Sequence, residues 1–209
     1  MRIDPAGWPF IFGAAVLALV AAFLIHNALG LALLVLAALF LFFFRDPERA
    51  ITEAPNAVLS PADGRVLVAG KSTSADFPAS EWQQISVFLS PMDVHVNRMP
   101  VAGRVTKVRY HPGRFLPAFR PESGDLNEYT EVWIDHRGQT VVVRQIVGIL
   151  ARRIVCRTRE GAEVKAGERF GVMKFGSRMD VFVPTDARVA VKVGDRVVGA
   201  VTVIAELTQ

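Results

Sequence analysis

From Trp8 to Phe44 the chain reads WPFIFGAAVLALVAAFLIHNALGLALLVLAALFLFFF, without one formally charged residue. A helix that crosses a bilayer needs about 20 apolar residues, and this run is nearly twice that length. It holds much of the excess behind a 51% apolar share of the 209 residues and a mean hydropathy of +0.32. The interruption HNALG, His26 to Gly30, lies near its middle and suits a tight turn. The run therefore reads as a membrane-embedded hairpin of two helices, the second short, with one long tilted helix as the alternative. A secretory signal peptide fits poorly. Its apolar core spans about 7–15 residues and ends at a small-residue cleavage site, whereas this run ends in LFLFFF followed by RDPERA. Arg45 and Arg49 at the exit place the following domain on the cytoplasmic side of the cell inner membrane by the positive-inside bias. Arg2 before the run makes both ends basic, as a hairpin with both ends on one side requires.

The rest of the composition mainly excludes. A net charge of +4 with arginines spread among acids is not a nucleic-acid footprint; beside a bilayer it favours anionic headgroups. Cys156 is the only cysteine, so no internal disulfide and no cysteine-based metal site is expected. Residues 45–60 are polar, contain Pro47 and Pro55, and read as a linker after a membrane segment over 1–44. Beyond them, short runs rich in Val, Ile and Phe alternate with Gly, Pro and Asp turns: GRVLVAG, QISVFLS, AGRVTKVRYHPG, TEVWIDHRG, QTVVVRQIVG and ARVAVKVGD. Many short strands at regular spacing predict a mainly β fold, a sandwich- or barrel-like domain over 61–209.

Three polar positions stand out from this background. Asp63 sits in SPADGR, a turn signal. His95 sits in LSPMDVHVNRMP, just after the strand QISVFLS. Ser177 follows Gly176 in FGVMKFGSRMD, a flexible bond that is out of place in the middle of an alternating strand. Asp, His and Ser are the parts of a nucleophile, base and orienter set. Yet Ser177 is not in G-x-S-x-G between a strand and a helix, which disfavours an esterase or peptidase.

In order along the chain, FFFRDPER, SPADGRV, SVFLSPMDVHVNRMPVAGRV, HPGRFLPAF, NEYTEVWI and GERFGVMKFGSRMDVFVP resemble the motifs of phosphatidylserine decarboxylase in its short bacterial and archaeal form. The resemblance implies a proenzyme that cuts itself at Gly176–Ser177 into a heavy chain, 1–176, and a light chain, 177–209. Ser177 then becomes a covalent pyruvoyl group, the cofactor that forms a Schiff base with phosphatidylserine and takes up the electrons left when CO₂ departs. Gly176 supplies the attacked carbonyl and an unusual backbone at least penalty. His95 is the expected base, and a proton donor in turnover, with Asp63 as its orienting partner. Arg98, Arg114 and Arg178 are expected to offer guanidinium groups to the lipid phosphate. The implied partners are phosphatidylserine in the bilayer and the chain's own two pieces; a homodimer is compatible with the sequence. Two departures stand out: Arg98 lies where many members have a second histidine, and Phe175-Gly176-Ser177-Arg178 stands where many read Leu-Gly-Ser-Thr, although the short form is similar to this chain in carrying Arg there. Asn127-Glu128 matches a family pair with no role readable from sequence. A competing resemblance is to biotinyl or lipoyl carrier domains, which would put Lys174 at a hairpin tip as a modification site or make the domain an unmodified, membrane-anchored adaptor, and which leaves SPADGRV unexplained.

Overall fold

Small residues set how the apolar run folds. In a computed structural model it forms two helices, α1 (Trp8–Leu24) and α2 (Asn27–Phe43), that pack side by side. The turn between them is capped by His26, whose Nδ1 accepts a hydrogen bond from the Ala28 amide at 3.1 Å. Ala14, Ala18 and Ala21 of α1 and Gly30 and Ala37 of α2 are buried. A Cβ at Gly30 would lie 2.6 Å from that of Ala22, so only glycine allows this approach. Close packing through small residues is how helices associate in lipid, where no hydrophobic force drives them together. The outer faces carry exposed Phe12, Leu17, Leu34 and Leu39. Strands β1 (Arg2–Ile3) and β2 (Arg45–Asp46) pair antiparallel at the base, so the single long helix does not form. From Pro5 to Leu24 the first helical segment spans 20 residues, long enough to cross a membrane; α2 has 17.

The structure describes residues 2–149, 153–174 and 176–208, and divides after Glu48 into this helical unit and a β unit, 49–209. The stretch read as a linker is split between the two. Arg49 pairs with Asp63, the Thr52 amide donates to Ala200 O at 3.2 Å, and the Leu207 amide donates to Asn56 O at 2.9 Å. Residues 49–60 thus belong to the β unit, and Ala57–Leu59 form its first strand, β3.

The chain then continues through β4 (Gly64–Lys71), β5 (Trp82–Leu89), β6 (Val96–Arg98), β7 (Gly103–His111) and a single helical turn, α3 (Ser123–Leu126). Next come β8 (Tyr129–His136), β9 (Gln139–Ile146), β10 (Ile154–Cys156), β11 (Glu163–Val164), β12 (Arg169–Met173) and β13 (Ser177–Pro184). The last are β14 (Arg188–Val189), β15 (Arg196–Val197) and β16 (Val203–Glu206). One antiparallel sheet runs β11-β7-β8-β9-β13-β5-β4-β15 and curls as a half-barrel; β10-β12-β6 and β14-β16-β3 are smaller sheets. The fold is mainly β, as the strand pattern predicts. The β8–β9 turn is Arg137-Gly138, both at positive φ (54° and 85°), which suits a tight hairpin.

The central strand β13 is covered on both faces. Met179, Val181 and Val183 point into the main core with Val87, Ile85, Val132 and Val143. Their neighbours Arg178 and Asp180 alternate as solvent positions would, yet both are buried. Phe182 on that second face stacks on Phe77, ring centroids 4.0 Å apart, beneath Trp82 and Trp133.

Candidate active site

Gly176 and Ser177 lie at a junction. The strand ends at Met173, the next begins at Ser177, and β12 and β13 belong to different sheets. The Gly-Ser pair therefore does not interrupt a strand, as the alternation suggests, but links two. Lys174 lies in this crossover and not at a hairpin tip, so the carrier geometry is absent. Phe175 lies outside the described residues.

At the junction Gly176 adopts φ +71°, left-handed backbone that costs glycine little. Its amide donates to His95 Nε2 at 3.4 Å. The other ring nitrogen, Nδ1, is 2.9 Å from Asp93 O. A carbonyl oxygen only accepts, so Nδ1 carries the proton and Nε2 presents its lone pair to the Gly176 N–H, one residue before Ser177. Ser177 is fully buried, and its Oγ has no hydrogen-bond partner among the described residues. A buried hydroxyl without a partner is held at a cost that only packing or function offsets.

Asp63, expected to orient His95, is bonded elsewhere. Its Oδ1 accepts from the Gly199 amide at 2.8 Å and its Oδ2 from Arg49 Nη2 at 2.7 Å. It precedes β4, which is separated from β13 by β5, a lateral distance of about 10 Å. The histidine is instead oriented by Asp93, which sequence reasoning missed. The Asp93 carboxylate accepts from the Ser90 amide (2.9 Å), Ser90 Oγ (2.7 Å) and Arg196 Nη2 (2.8 Å), which fixes the loop whose carbonyl faces Nδ1. Ser-Pro-Met-Asp is itself a turn signal, and it was the available clue.

Gly148 is the second residue the sequence did not reveal. A Cβ there would lie 2.2 Å from Gly176 O, so the carbonyl of the Gly-Ser bond rests directly on this glycine. Asn127 explains how the loop containing it is held. The Asn127 side chain accepts from the Leu116 amide at 2.9 Å and donates to Leu116 O and Val147 O, both at 2.8 Å. That ties the 114–118 segment to the residue before Gly148, and gives the Asn of the Asn-Glu pair a structural task.

The three arginines separate. Arg178 is buried with its Nε 2.6 Å from Asp180 Oδ1 and its Nη2 2.9 Å from Asp180 Oδ2. Ser86 Oγ, at 3.0 Å, completes its surroundings. A guanidinium so engaged is not available to a lipid phosphate; its position in an alternating strand suggested an exposure that the covering segment removes. Arg98 is also buried, donates to Gly167 O at 3.2 Å and lines a cavity of about 680 Å³ with Lys165 and Arg169. Neither Ser177 nor His95 lines that cavity. Arg114 alone is exposed, and its guanidinium has no hydrogen bond or ion pair among the described residues.

A second buried arginine supports the same face. Arg144 donates to Glu131 Oε1 at 2.7 Å and to Gly124 O at 2.8 Å, and its guanidinium lies 4.0 Å from the centre of the Tyr129 ring. Burial pushes the Tyr129 phenol up to about 12 against the opposing pull of Arg144. Removing one member of a buried ion pair leaves an uncompensated charge and costs about 3–5 kcal/mol. Arg178→Met is therefore expected to lower unfolding stability by that amount in denaturant titrations of the full chain in detergent. Arg178→Met combined with Asp180→Leu should recover most of the loss, because neither charge then remains.

Comparison with known proteins adds the family. The phosphatidylserine decarboxylase family model matches residues 36–205. A phosphatidylserine decarboxylase proenzyme of Cupriavidus taiwanensis is 44% identical, over 96% of this chain and 94% of its own length. The proenzyme of Symbiobacterium thermophilum is 45% identical over 97% of this chain and 94% of its own, and that of Burkholderia ambifaria 44% over 97% and 95%.

Proposed function

The chain belongs to the phosphatidylserine decarboxylase family, and on that premise we propose that it is a self-cleaving proenzyme which matures at Gly176–Ser177 and decarboxylates phosphatidylserine to phosphatidylethanolamine. One observation carries the proposal: a buried, unpartnered serine hydroxyl follows a glycine at φ +71°, whose own amide donates to a histidine nitrogen.

Maturation uses only this chain's atoms and one water. Ser177 Oγ bonds to the Gly176 carbonyl carbon as its proton passes to His95 Nε2. The C–N bond then breaks, the nitrogen takes a proton, and the amide has become an ester. Loss of the Ser177 Cα proton expels the Gly176 carboxylate and leaves dehydroalanine at the head of the light chain. Water replaces its nitrogen, ammonia leaves, and a ketone remains. Gly148 seats the carbonyl under attack, and Asp93 O keeps Nδ1 protonated so that Nε2 can act as base. The pyruvoyl group supplies an electrophilic carbonyl for an amine and a sink for the electron pair released with CO₂. A serine that heads a buried strand beside a histidine fits such a group; in turnover His95 holds the proton that replaces CO₂.

The surroundings of Gly148 suit a lipid substrate. Phe119 is 59% exposed and Ile149 53%, Phe115 is exposed as well, and the exposed Arg114 and Arg120 adjoin Phe115 and Phe119 in the chain. Apolar side chains interleaved with cations match an anionic membrane surface, where the covalently attached hairpin would hold the β unit. Phe119→Asp with Ile149→Asp is expected to reduce turnover of vesicle-borne substrate about tenfold or more, from roughly 1–2 kcal/mol of lost apolar burial. Chain cleavage should be unaffected.

Denaturing mass spectrometry of the full chain tests the central claim. Two pieces are expected, 1–176 and 177–209, the smaller lacking its N-terminal amine. An active preparation consisting of one unbroken chain overturns it.

A further inference from the structure

We propose that Asn97 and Gln145 together form the pocket that reads the amino-acid end of the substrate: the free Asn97 amide nitrogen donates to its carboxylate, and the free Gln145 carbonyl accepts from its nitrogen. This inference rests on the decarboxylase reading and deepens it.

Both side chains are fully buried. Gln145 Nε2 donates to Asn97 Oδ1 at 2.7 Å and more weakly to Val155 O at 3.4 Å. What remains is one donor, Asn97 Nδ2, and one acceptor, Gln145 Oε1, each without a partner among the described residues. Two primary amides joined by a single bond always leave one N–H group and one carbonyl, whichever of them donates. Buried polar groups are normally satisfied, so adjacent orphans of opposite kind are a strong departure.

Their placement connects them to the cleavage site. Gln145 lies directly opposite Met179 in the β9–β13 ladder. Ser177 is two residues along β13 and so shares its face, about 7–8 Å away on the diagonal. Asn97 follows His95 by two residues, and the Met173 amide donating to His95 O at 3.4 Å extends the β6–β12 ladder to that histidine. His95 and Asn97 therefore share a face, about 6.5 Å apart along the chain. The amide pair therefore lies two residues along from Ser177 on one strand and from His95 on the other, against β12. Gly171 makes room for it: a Cβ there would lie 2.6 Å from Gln145 Nε2 and 2.3 Å from Val155 O.

The chemistry fits an α-amino acid, which carries an acceptor carboxylate and a donor nitrogen on one carbon. It also fits the loss of that carboxylate. A guanidinium would stabilise the charged ground state and so raise the barrier to losing CO₂, whereas one neutral N–H orients the group with less ground-state stabilisation. Of the buried arginines, Arg144 and Arg178 point to the other face of the sheet, bonded to Glu131 and Asp180, and Arg98, adjacent to Asn97 in β6, donates to Gly167 O.

The test uses the full chain in mixed micelles. Phosphatidylserine and phosphatidylethanolamine, which lacks the carboxylate, are each offered with cyanoborohydride, and total lipid adduct on the light chain is measured by mass. Asn97→Leu should cleave normally and trap phosphatidylethanolamine as the parent does. Its phosphatidylserine adduct should fall at least tenfold, with KM for phosphatidylserine raised by a similar factor. An unchanged ratio of the two adducts overturns the inference and makes the amide pair a structural, water-filled site. If Asn97→Leu does not fold, Asn97→Ser and Gln145→Met are measured by the same ratio, under the same criterion. Failure of the parent chain to trap either lipid overturns the decarboxylase reading itself, and this inference with it.

Discussion

Ser177→Ala is expected to leave a single polypeptide of 209 residues with no decarboxylase activity, and to do so without loss of stability. The two halves of that outcome have one cause. Ser177 Oγ is buried and makes no hydrogen bond among the described residues, so removing it forfeits no interaction and relieves the desolvation of an unsatisfied hydroxyl. Unfolding stability should stay within about 1 kcal/mol of the parent or rise slightly. Gel analysis reads the missing cleavage, and denaturant titration of the same sample, compared with uncleaved parent, reads the stability. A Ser177→Ala chain that still splits at 176–177 removes the serine from the mechanism. One that no longer folds shows that the hydroxyl has a structural partner.

Gly148→Ala should block maturation almost as completely by a different route. The added carbon would lie 2.2 Å from Gly176 O, far inside contact distance, so the carbonyl must move by about 1 Å or more. A misplacement of that size at a reacting centre costs on the order of a hundredfold in rate. The fold should survive. Strain from one extra methyl in a packed site is typically about 1–3 kcal/mol, and Gly148 lies just after β9, next to Val147, whose carbonyl Asn127 pins. Pulse–chase measurement of light-chain appearance after synthesis would therefore show accumulation of folded, uncleaved chain. Cleavage at the parent rate would show that Gly148 does not seat the carbonyl.

How much of this was legible beforehand follows residue by residue. Gly176, Ser177 and His95 were found from motifs, and the structure brings them together. Asp63 is the expectation from residue type, because a carboxylate is the usual orienter of a histidine. The structure instead gives the ring a backbone carbonyl from Asp93, and a carbonyl's role depends on loop conformation rather than residue type. Arg178 shows the opposite difficulty. Alternation along β13 correctly separates two faces, but it does not say that the second face is covered, and that cover turns a presumed phosphate ligand into half of a buried ion pair. Gly148 carried no side-chain signal at all, because its contribution is the absence of one.

The sequence by itself determined the length and uncharged character of the apolar run, the strand-rich character of the rest and the Gly-Ser pair proposed for cleavage. Each depends on neighbouring residues: apolar length, period-two alternation, glycine before a hydroxyl. Only the tertiary structure decided which groups meet across long stretches of chain. Gly148 lies under Gly176 O, and Gln145 meets Asn97, because curled sheets and their register bring distant strands together. Local pattern sets which face a side chain takes, and sheet crossing sets what it finds there.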